Sequence, residues 1–329
     1  MTTSTLTLRV RALTWEAEGI LGIELVPTQA NTLLPTFEAG AHIDLHLPDA
    51  GSGAHIRSYS LLNAPGERQR WCIAVNLDAA SRGGSRWIHE QLRCGQTLTA
   101  GAPRNHFPLN EAAPLSVFFA GGIGITPILG MIRRLEALGR PWRLHYACRD
   151  RAHAAYVPEL QALAESAQAA GRDGALDLHF DAERGRVLDI PGLVAALPPT
   201  SHLYACGPKG LLAAYEAATA AWPPAQVHLE HFGATQAAAI EGGYTAELKR
   251  SGRSVQVRPG ETLLDRLLAE GVDLLYSCRE GVCGTCEVKV IEGEPDHRDL
   301  VLSPAERAAN TRMMVCCSGA KSARLVLDL

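Results

Sequence analysis

A chain of 329 residues, 47% hydrophobic and 20% charged, has enough apolar surface to fill two or three cores, which excludes a disordered chain or a small disulfide-stapled one. Its net charge of -4, with both signs mixed, offers no basic stripe and speaks against a nucleic-acid binder. The opening MTTSTLTLRVRALTW lacks the cationic-then-apolar layout of a secretory signal, so a cytoplasmic protein with reduced thiols is expected, and its nine cysteines favour metal chemistry over disulfides.

From Leu6 to about Pro108 the chain alternates in short strands, TLTLRVRAL, HIDLHL and WCIAVNL, broken by Gly, Pro and Asn clusters. This pattern predicts an antiparallel barrel. The strand RSYSL carries Arg57, Ser58, Tyr59 and Ser60, and about twenty residues on comes RGGSRWIHEQL, a glycine turn leading into a helix. An arginine and serine hydroxyls meeting a helix N-terminus make a phosphate site, because the amides of Gly84 and Ser85 point outward and the helix dipole favours an anion. Tyr59 can lie against a flat ring. Taken alone, RSYSL also reads as a solvated strand with a buried tyrosine; its pairing with the glycine turn, ahead of a nucleotide-type domain, favours a flavin.

Near Leu115 the rhythm changes. Apolar runs LSVFFA, WRLHYAC, LDLHF, HLYACG and VHLEHF alternate with Ala-rich helical stretches, which predicts a parallel sheet with both faces covered. The run LSVFFAGGIGITPILGMI is as long as a membrane span, but its four glycines and Pro127 predict a buried strand, a turn and a helix instead. It is not G-x-G-x-x-G. Even so, Gly121, Gly122 and Gly124 let a pyrophosphate approach bare backbone at the mouth of a strand, with Thr126 and Pro127 opening the helix. In YACGPKG, Cys206 and Gly207 end another strand at the same edge, either as a packed core cysteine or as a surface for nicotinamide. Asp181 ends the third strand, where a carboxylate meets a ribose hydroxyl and repels a 2′-phosphate, favouring NADH; Arg184 and Arg186 argue the other way.

GATQAAAIEGG, Gly233 to Gly243, reads as a linker. A two-strand hairpin (YTAELKRSGRSVQVRPG) and a short amphipathic helix (TLLDRLLAEG) follow, and then the loop CREGVCGTC. Cys278, Cys283 and Cys286 with Cys316 give C-x4-C-x2-C-x29-C, the plant-type [2Fe-2S] spacing. Gly281 and Gly284 allow backbone amides close to the sulfurs. Four cysteines also suit tetrahedral zinc, although zinc frames use two close pairs. The fourth ligand is ambiguous by one residue, since Cys317 adjoins Cys316, and spacing favours Cys316.

The order R-x-Y-S, G-G-S, G-G-x-G-x-T-P, C-G-P, LEHFGA and a C-terminal plant-type cluster resembles the phthalate dioxygenase reductase family over nearly the full chain. The resemblance implies a flavin-binding antiparallel β-barrel (1–110), an α/β parallel-sheet NAD domain (111–233), a linker (234–243) and a β-grasp ferredoxin domain (244–329). It implies FMN, NADH and a [2Fe-2S] cluster, and a Rieske-type terminal oxygenase acting on an aromatic or related substrate as partner. A monomer is expected, with no nucleic acid or membrane partner.

On this chain the resemblance places flavin on Arg57, Ser58, Tyr59 and Ser60, on Ala74 and Asn76, and on Gly83, Gly84 and Ser85. It places the nucleotide on Gly121, Gly122, Gly124, Thr126, Pro127, Asp181, Cys206, Gly207 and Pro208. Phe232 resembles the aromatic that covers the flavin in relatives, so Phe232 and Cys206 are the catalytic candidates. His228, Glu230 and His231 as metal ligands are discounted, because flavin and cluster already account for the chemistry. Relatives commonly read S-R-A-K-S after the last cysteine, whereas this chain has SGAKS; a partner contact at Gly319 would alter partner choice.

The expected route is hydride from NADH to flavin, then single electrons to the cluster. Plant-type clusters near about -400 mV and Rieske centres above about -150 mV make outward transfer downhill by roughly 250 mV or more. Two other classes stay open: a non-enzymatic redox sensor or carrier, and a stand-alone flavin reductase.

Overall fold

The computed structural model describes residues 5–48, 55–79 and 83–329, which form two compact units, Met1–Glu230 and His231–Leu329. Arg82, the first residue of the glycine-turn motif, lies outside the described residues.

The first unit opens with six antiparallel strands: β1 (Thr5–Ala17), β2 (Ile20–Pro27), β3 (His42–Leu47), β4 (His55–Ser60), β5 (Trp71–Asn76) and, after helix α1 (Gly84–Gln91), β6 (Thr97–Gly101). Their order is β4-β3-β6-β1-β2-β5. Irregularities in the β1 register at Val10/Ala12 and Trp15/Ala17 bend this long strand, and the edge strands β4 and β5 meet. Ile43, Leu45, Trp71 and Ile73 fill the interior, each under 1% exposed. This is the barrel that the alternating sequence predicts.

A parallel sheet follows, with β7 (Ser116–Gly121), α2 (Ile125–Leu138), β8 (Trp142–Cys148), α3 (Val157–Ala169), β9 (Gly174–Phe180), α4 (Asp181–Arg184), α5 (Ile190–Ala195), β10 (His202–Cys206), α6 (Lys209–Thr219) and β11 (Val227–Glu230). The strand order is β11-β10-β7-β8-β9, which brings the C-terminal ends of β7 and β10 together. Every residue of β7 is buried, as a central strand covered on both faces must be. Barrel and sheet share one core: Leu62, Ala74 and Phe107 cluster with Phe118, Ile128 and Leu129. Gly130 lets α2 sit close against the barrel, since a Cβ there would lie 2.8 Å from the Leu61 carbonyl oxygen. The apolar run at 115–132 is therefore β7, a turn and α2, and among the described residues no helix is long and apolar enough to cross a membrane.

The second unit holds β12 (Tyr244–Leu248), β13 (Arg253–Val257), α7 (Leu263–Ala269), β14 (Glu287–Glu292), β15 (Pro295–Asp296), α8 (Pro304–Ala309), β16 (Arg312–Met314), β17 (Gly319–Ala320) and β18 (Arg324–Leu327). The hairpin β12–β13 joins β18 in parallel, giving the order β13-β12-β18-β14-β16, and α7 packs Leu263, Leu264 and Leu267 into its core. The segment before β12 is tied down within this unit. The Ala239 amide donates to the Cys317 carbonyl at 2.7 Å, and the Gly260 amide donates to Ile240 O at 2.8 Å.

Candidate cofactor sites

The barrel site begins with strand alternation. Arg57 and Tyr59 of β4 face the same side as their register partners Leu45 and Ile43, whereas Ser58 and Ser60 face Asp44 and His42. Arg57 crosses directly over the start of α1, where a Cβ on Gly84 would stand 3.0 Å from Arg57 Cγ and 3.1 Å from Nε. Gly83, at φ 102°, is the N-cap of that helix, a conformation that favours glycine. Ser85 Oγ accepts from the Asp78 amide at 3.2 Å. A guanidinium, bare glycine backbone and a helix N-terminus therefore meet, the combination a phosphate monoester needs. Ala74 and Asn76 lie on β5, which joins α1 through His89 Nε2 at 2.9 Å from Val75 O.

Ser58 donates to Asp44 Oδ1 at 2.7 Å, and Arg104 pairs with Asp44 Oδ2 at 2.6 Å. These partners hold Asp44 below the usual carboxylate range despite its burial, and they stiffen β3–β4 from behind. His42, buried beside Arg104, is pushed down to about 4, first by desolvation and then by that guanidinium.

The nucleotide-type site is a contact between two glycine turns. A Cβ on Gly124 would collide with the Cys206 carbonyl oxygen, and one on Gly207 would come within 2.9 Å of the Gly121 backbone. Pro208 also packs against Gly121. Only hydrogen side chains at 121, 124 and 207 let the β7 and β10 turns touch, and Gly122 sits at φ 51°.

A 3-10 turn over Gly122–Gly124 runs straight into α2, so Pro127 stands third in the helix, not first; its missing amide is one of the unpaired first-turn groups either way. Thr126, buried, donates to Ile123 O at 3.0 Å and locks the turn. Tyr146, fully buried on the neighbouring strand, donates to Gly122 O at 3.2 Å. Nothing in the sequence singled out Tyr146, because its partner lies across the sheet.

Cys206 and Glu230 are register partners at the ends of β10 and β11, the first fully buried and the second half-buried. Burial pushes the Glu230 carboxyl up to about 8 and the Cys206 thiol upward, so both are neutral at physiological pH. Asp181 is the first residue of α4, 3.4 Å from His179 Nε2. His228 points elsewhere, stacked on Tyr204 at 4.3 Å with its Nε2 3.2 Å from His202 Nδ1. A cavity of about 470 Å³ lined by Trp15, Glu16, Arg70, Arg133 and Tyr156 contains none of the residues expected from sequence.

In the second unit Phe232 is 42% exposed. The cysteine loop has three residues in the left-handed region, Arg279 at φ 58° and two glycines, which adopt it freely, Gly281 at φ 69° and Gly284 at φ 71°. Backbone amides approach the sulfurs: Cys278 N lies 3.4 Å from Cys283 Sγ, and Glu280 N lies 3.3 Å from Cys278 Sγ. The thiols, all free, neighbour one another, Cys278 against Cys283 and Cys316, and Cys316 against Cys286 and Cys317. The hydrogen bond from Cys278 draws the Cys283 thiol down to about 6.

Among the described residues no three His, Cys, Asp or Glu side chains surround a single ion position. Neighbouring thiols with glycine-opened amides suit a two-iron cluster by their donor chemistry. Gly319 is buried, and a Cβ there would lie 2.8 Å from Ala239 Cβ, so a side chain at this position would press on the 231–243 segment.

Comparison with known proteins agrees with this geometry. Residues 246–321 match the 2Fe-2S iron-sulfur cluster binding domain model, and residues 118–217 match the oxidoreductase NAD-binding domain model. The chain is 48% identical to phenoxybenzoate dioxygenase subunit beta of Ectopseudomonas oleovorans, over 100% of this chain and 98% of that protein. It is 51% identical to tetrachlorobenzoquinone reductase of Sphingobium chlorophenolicum, over 99% and 98%. Among solved structures, phthalate dioxygenase reductase superposes with a TM-score of 0.72 at 37% identity, covering 99% of this chain and 98% of that one. An intact type IV self-sufficient cytochrome P450 monooxygenase gives a TM-score of 0.86 at 40% identity, with 99% of this chain on 41% of that one.

Proposed function

The chain belongs to the phthalate dioxygenase reductase family, an NADH-dependent flavin and iron-sulfur oxidoreductase that serves an oxygenase, and from that premise we propose that it is the monomeric, cytoplasmic electron donor to a Rieske-type terminal oxygenase. The observation that carries the reading is the neighbouring thiol set of Cys278, Cys283, Cys286 and Cys316 on a glycine-opened loop. A low-potential plant-type cluster has a downhill path to a Rieske centre.

When bound, flavin would supply the conversion of NADH's two-electron hydride into single electrons for the iron-sulfur cluster. The protein's own groups bind and orient. Arg57 and the amides of Gly84 and Ser85 would hold the flavin phosphate, Tyr59, which packs against the barrel core, would border its ring, and Asp44 holds Ser58 on the same strand. The turns at Gly121, Gly122, Gly124 and Gly207 admit the pyrophosphate. Cys206 and Glu230, both neutral, offer an uncharged floor to a nicotinamide ring. Asp181 meets a ribose hydroxyl, and Phe232 is the second catalytic candidate, on the strength of the resemblance and its exposure. The proposed division into 1–110, 111–233, 234–243 and 244–329 is supported by the change of sheet from antiparallel to parallel to mixed, with the 234–243 segment hydrogen-bonded to the last unit.

Purified protein loaded with FMN and iron should reduce a Rieske oxygenase with NADH, read as the appearance of the reduced Rieske EPR signal. Cluster reduction by NADH without electron arrival at any Rieske protein would overturn the partner assignment. The likeness to tetrachlorobenzoquinone reductase favours a second reading, direct reduction of a halogenated benzoquinone. NADH oxidation driven by such a quinone, at a rate matching or exceeding that with the oxygenase, would establish it.

A further inference from the structure

Behind the cysteine loop lies a buried carboxylate that the electron route does not use. Asp299 is 1% exposed. Its Oδ2 accepts from the Val301 amide at 3.1 Å and the Leu302 amide at 2.8 Å. Its Oδ1 accepts no hydrogen bond, although His297 Nδ1 stands 3.6 Å away. Arg307 donates to the Asp299 carbonyl and brings its guanidinium within 4.0 Å of Oδ2. His297 Nδ1 and Arg307 Nε are also buried without hydrogen-bond partners. Buried polar atoms left without a hydrogen-bond partner are rare and call for a reason.

The backbone that carries this carboxylate sits against the loop itself. The Leu300 amide donates to Gly281 O at 2.8 Å, and a Cβ on Gly281 would lie 3.0 Å from Asp299 Cα on one side and against Cys317 Sγ on the other. Gly281 is thus clamped between a buried thiol and the backbone of a buried acid, inside the C-x4-C segment.

We infer that Asp299 is a positioning residue for the iron-sulfur loop, and that its fixed negative charge, counterweighed by Arg307, sets the reduction potential of the cluster. This rests on the two-iron reading of the four thiols. Reduction adds negative charge to the cluster, so a neighbouring carboxylate in a low-dielectric interior opposes it and a guanidinium favours it. Removing one or the other must therefore move the potential in opposite directions.

The test is an EPR-monitored redox titration of the cluster-loaded full chain, wild type against Asp299→Asn and Arg307→Gln. Asp299→Asn is expected to raise the potential and Arg307→Gln to lower it, each by about tenfold in the reduction equilibrium, or about 59 mV for one electron. Flavin reduction by NADH in the same samples stays unchanged. Potentials within threefold of wild type in both variants, shifts of the same sign, or loss of the cluster from both would overturn the inference. If one variant loses its cluster, the sign of the other's shift decides. A wild-type protein with no two-iron signal would instead overturn the underlying reading, so the two failures are distinguishable.

Discussion

Cys206 and Glu230 end adjacent parallel strands side by side, the thiol sulfur 4.0 Å from Glu230 Oε2, the cysteine fully buried and the glutamate half-buried. Burial holds Glu230 protonated up to about pH 8, whereas the unfolded chain ionises near its ordinary 4.5. Between those values the folded state binds one more proton than the unfolded state, so this group's contribution is complete below pH 4.5 and is lost as pH rises towards 8. His228, pushed down to about 4 chiefly by desolvation, acts oppositely and makes stability rise with pH between 4 and 6.5. Glu230→Gln should therefore remove only the falling component. Thermal midpoints of wild type and variant from pH 5 to 8 should diverge in the variant's favour as pH rises; parallel curves would show Glu230 ionised in the fold.

Gly124 has no room for a methyl group. The atom in the way is the Cys206 carbonyl oxygen, which belongs to the central sheet and cannot swing aside. Gly124→Ala should push the two turns apart, at an overpacking cost of about 1–3 kcal/mol. The kcat/KM for NADH should fall at least tenfold, about 1.4 kcal/mol, while flavin stays bound to a barrel that the substitution does not touch. Flavin retention on gel filtration together with stopped-flow flavin reduction measures both. An unchanged NADH rate would mean that the turns do not hold the nucleotide.

Cys316 reaches both Cys278 and Cys286, whereas Cys317 Sγ lies 3.7 Å from the Met314 carbonyl and closes the space beneath Gly281. Cys316→Ser should abolish the visible absorbance of the cluster. Cys317→Ser should keep it, with a modest loss of stability from a buried hydroxyl. The reverse pair of outcomes would make Cys317 the ligand.

Much of this was legible in the chain because it is local. Alternation in WCIAVNL, the four-residue crowding of Gly121, Gly122 and Gly124, and the C-x4-C-x2-C spacing each report a structure made within about ten residues. What escaped is long-range. Glu230 reads as an ordinary strand-end carboxylate until β11 lays it beside Cys206, and Tyr146 gains its role only by pairing β8 with β7. Ser58 stands within a flavin motif, yet the period of two turns it towards Asp44, fourteen residues earlier. Gly319 shows no constraint along the chain, and gains one only once Ala239 packs on it.

Cofactor choice should rest on an ion pair as much as on Asp181. Arg151 follows β8 and Glu183 lies in α4, and they pair through two bonds of 2.6 and 2.9 Å while the guanidinium covers the Phe180 ring at 4.6 Å. A 2′-phosphate bound near Asp181 would find Arg151 already occupied and two carboxylates, Asp181 and Glu183, opposing it. The pair is exposed, 69% and 47%, so its attraction is screened and its effect is modest. Wild type should prefer NADH. Glu183→Gln should free Arg151 and narrow the NADH-to-NADPH ratio of kcat/KM about tenfold at low salt, and less at high salt. Adding Asp181→Asn should narrow it further, since each substitution removes one negative charge. A wild-type preference for NADPH, or a ratio indifferent to both substitutions, would move the selection of the nucleotide to other residues.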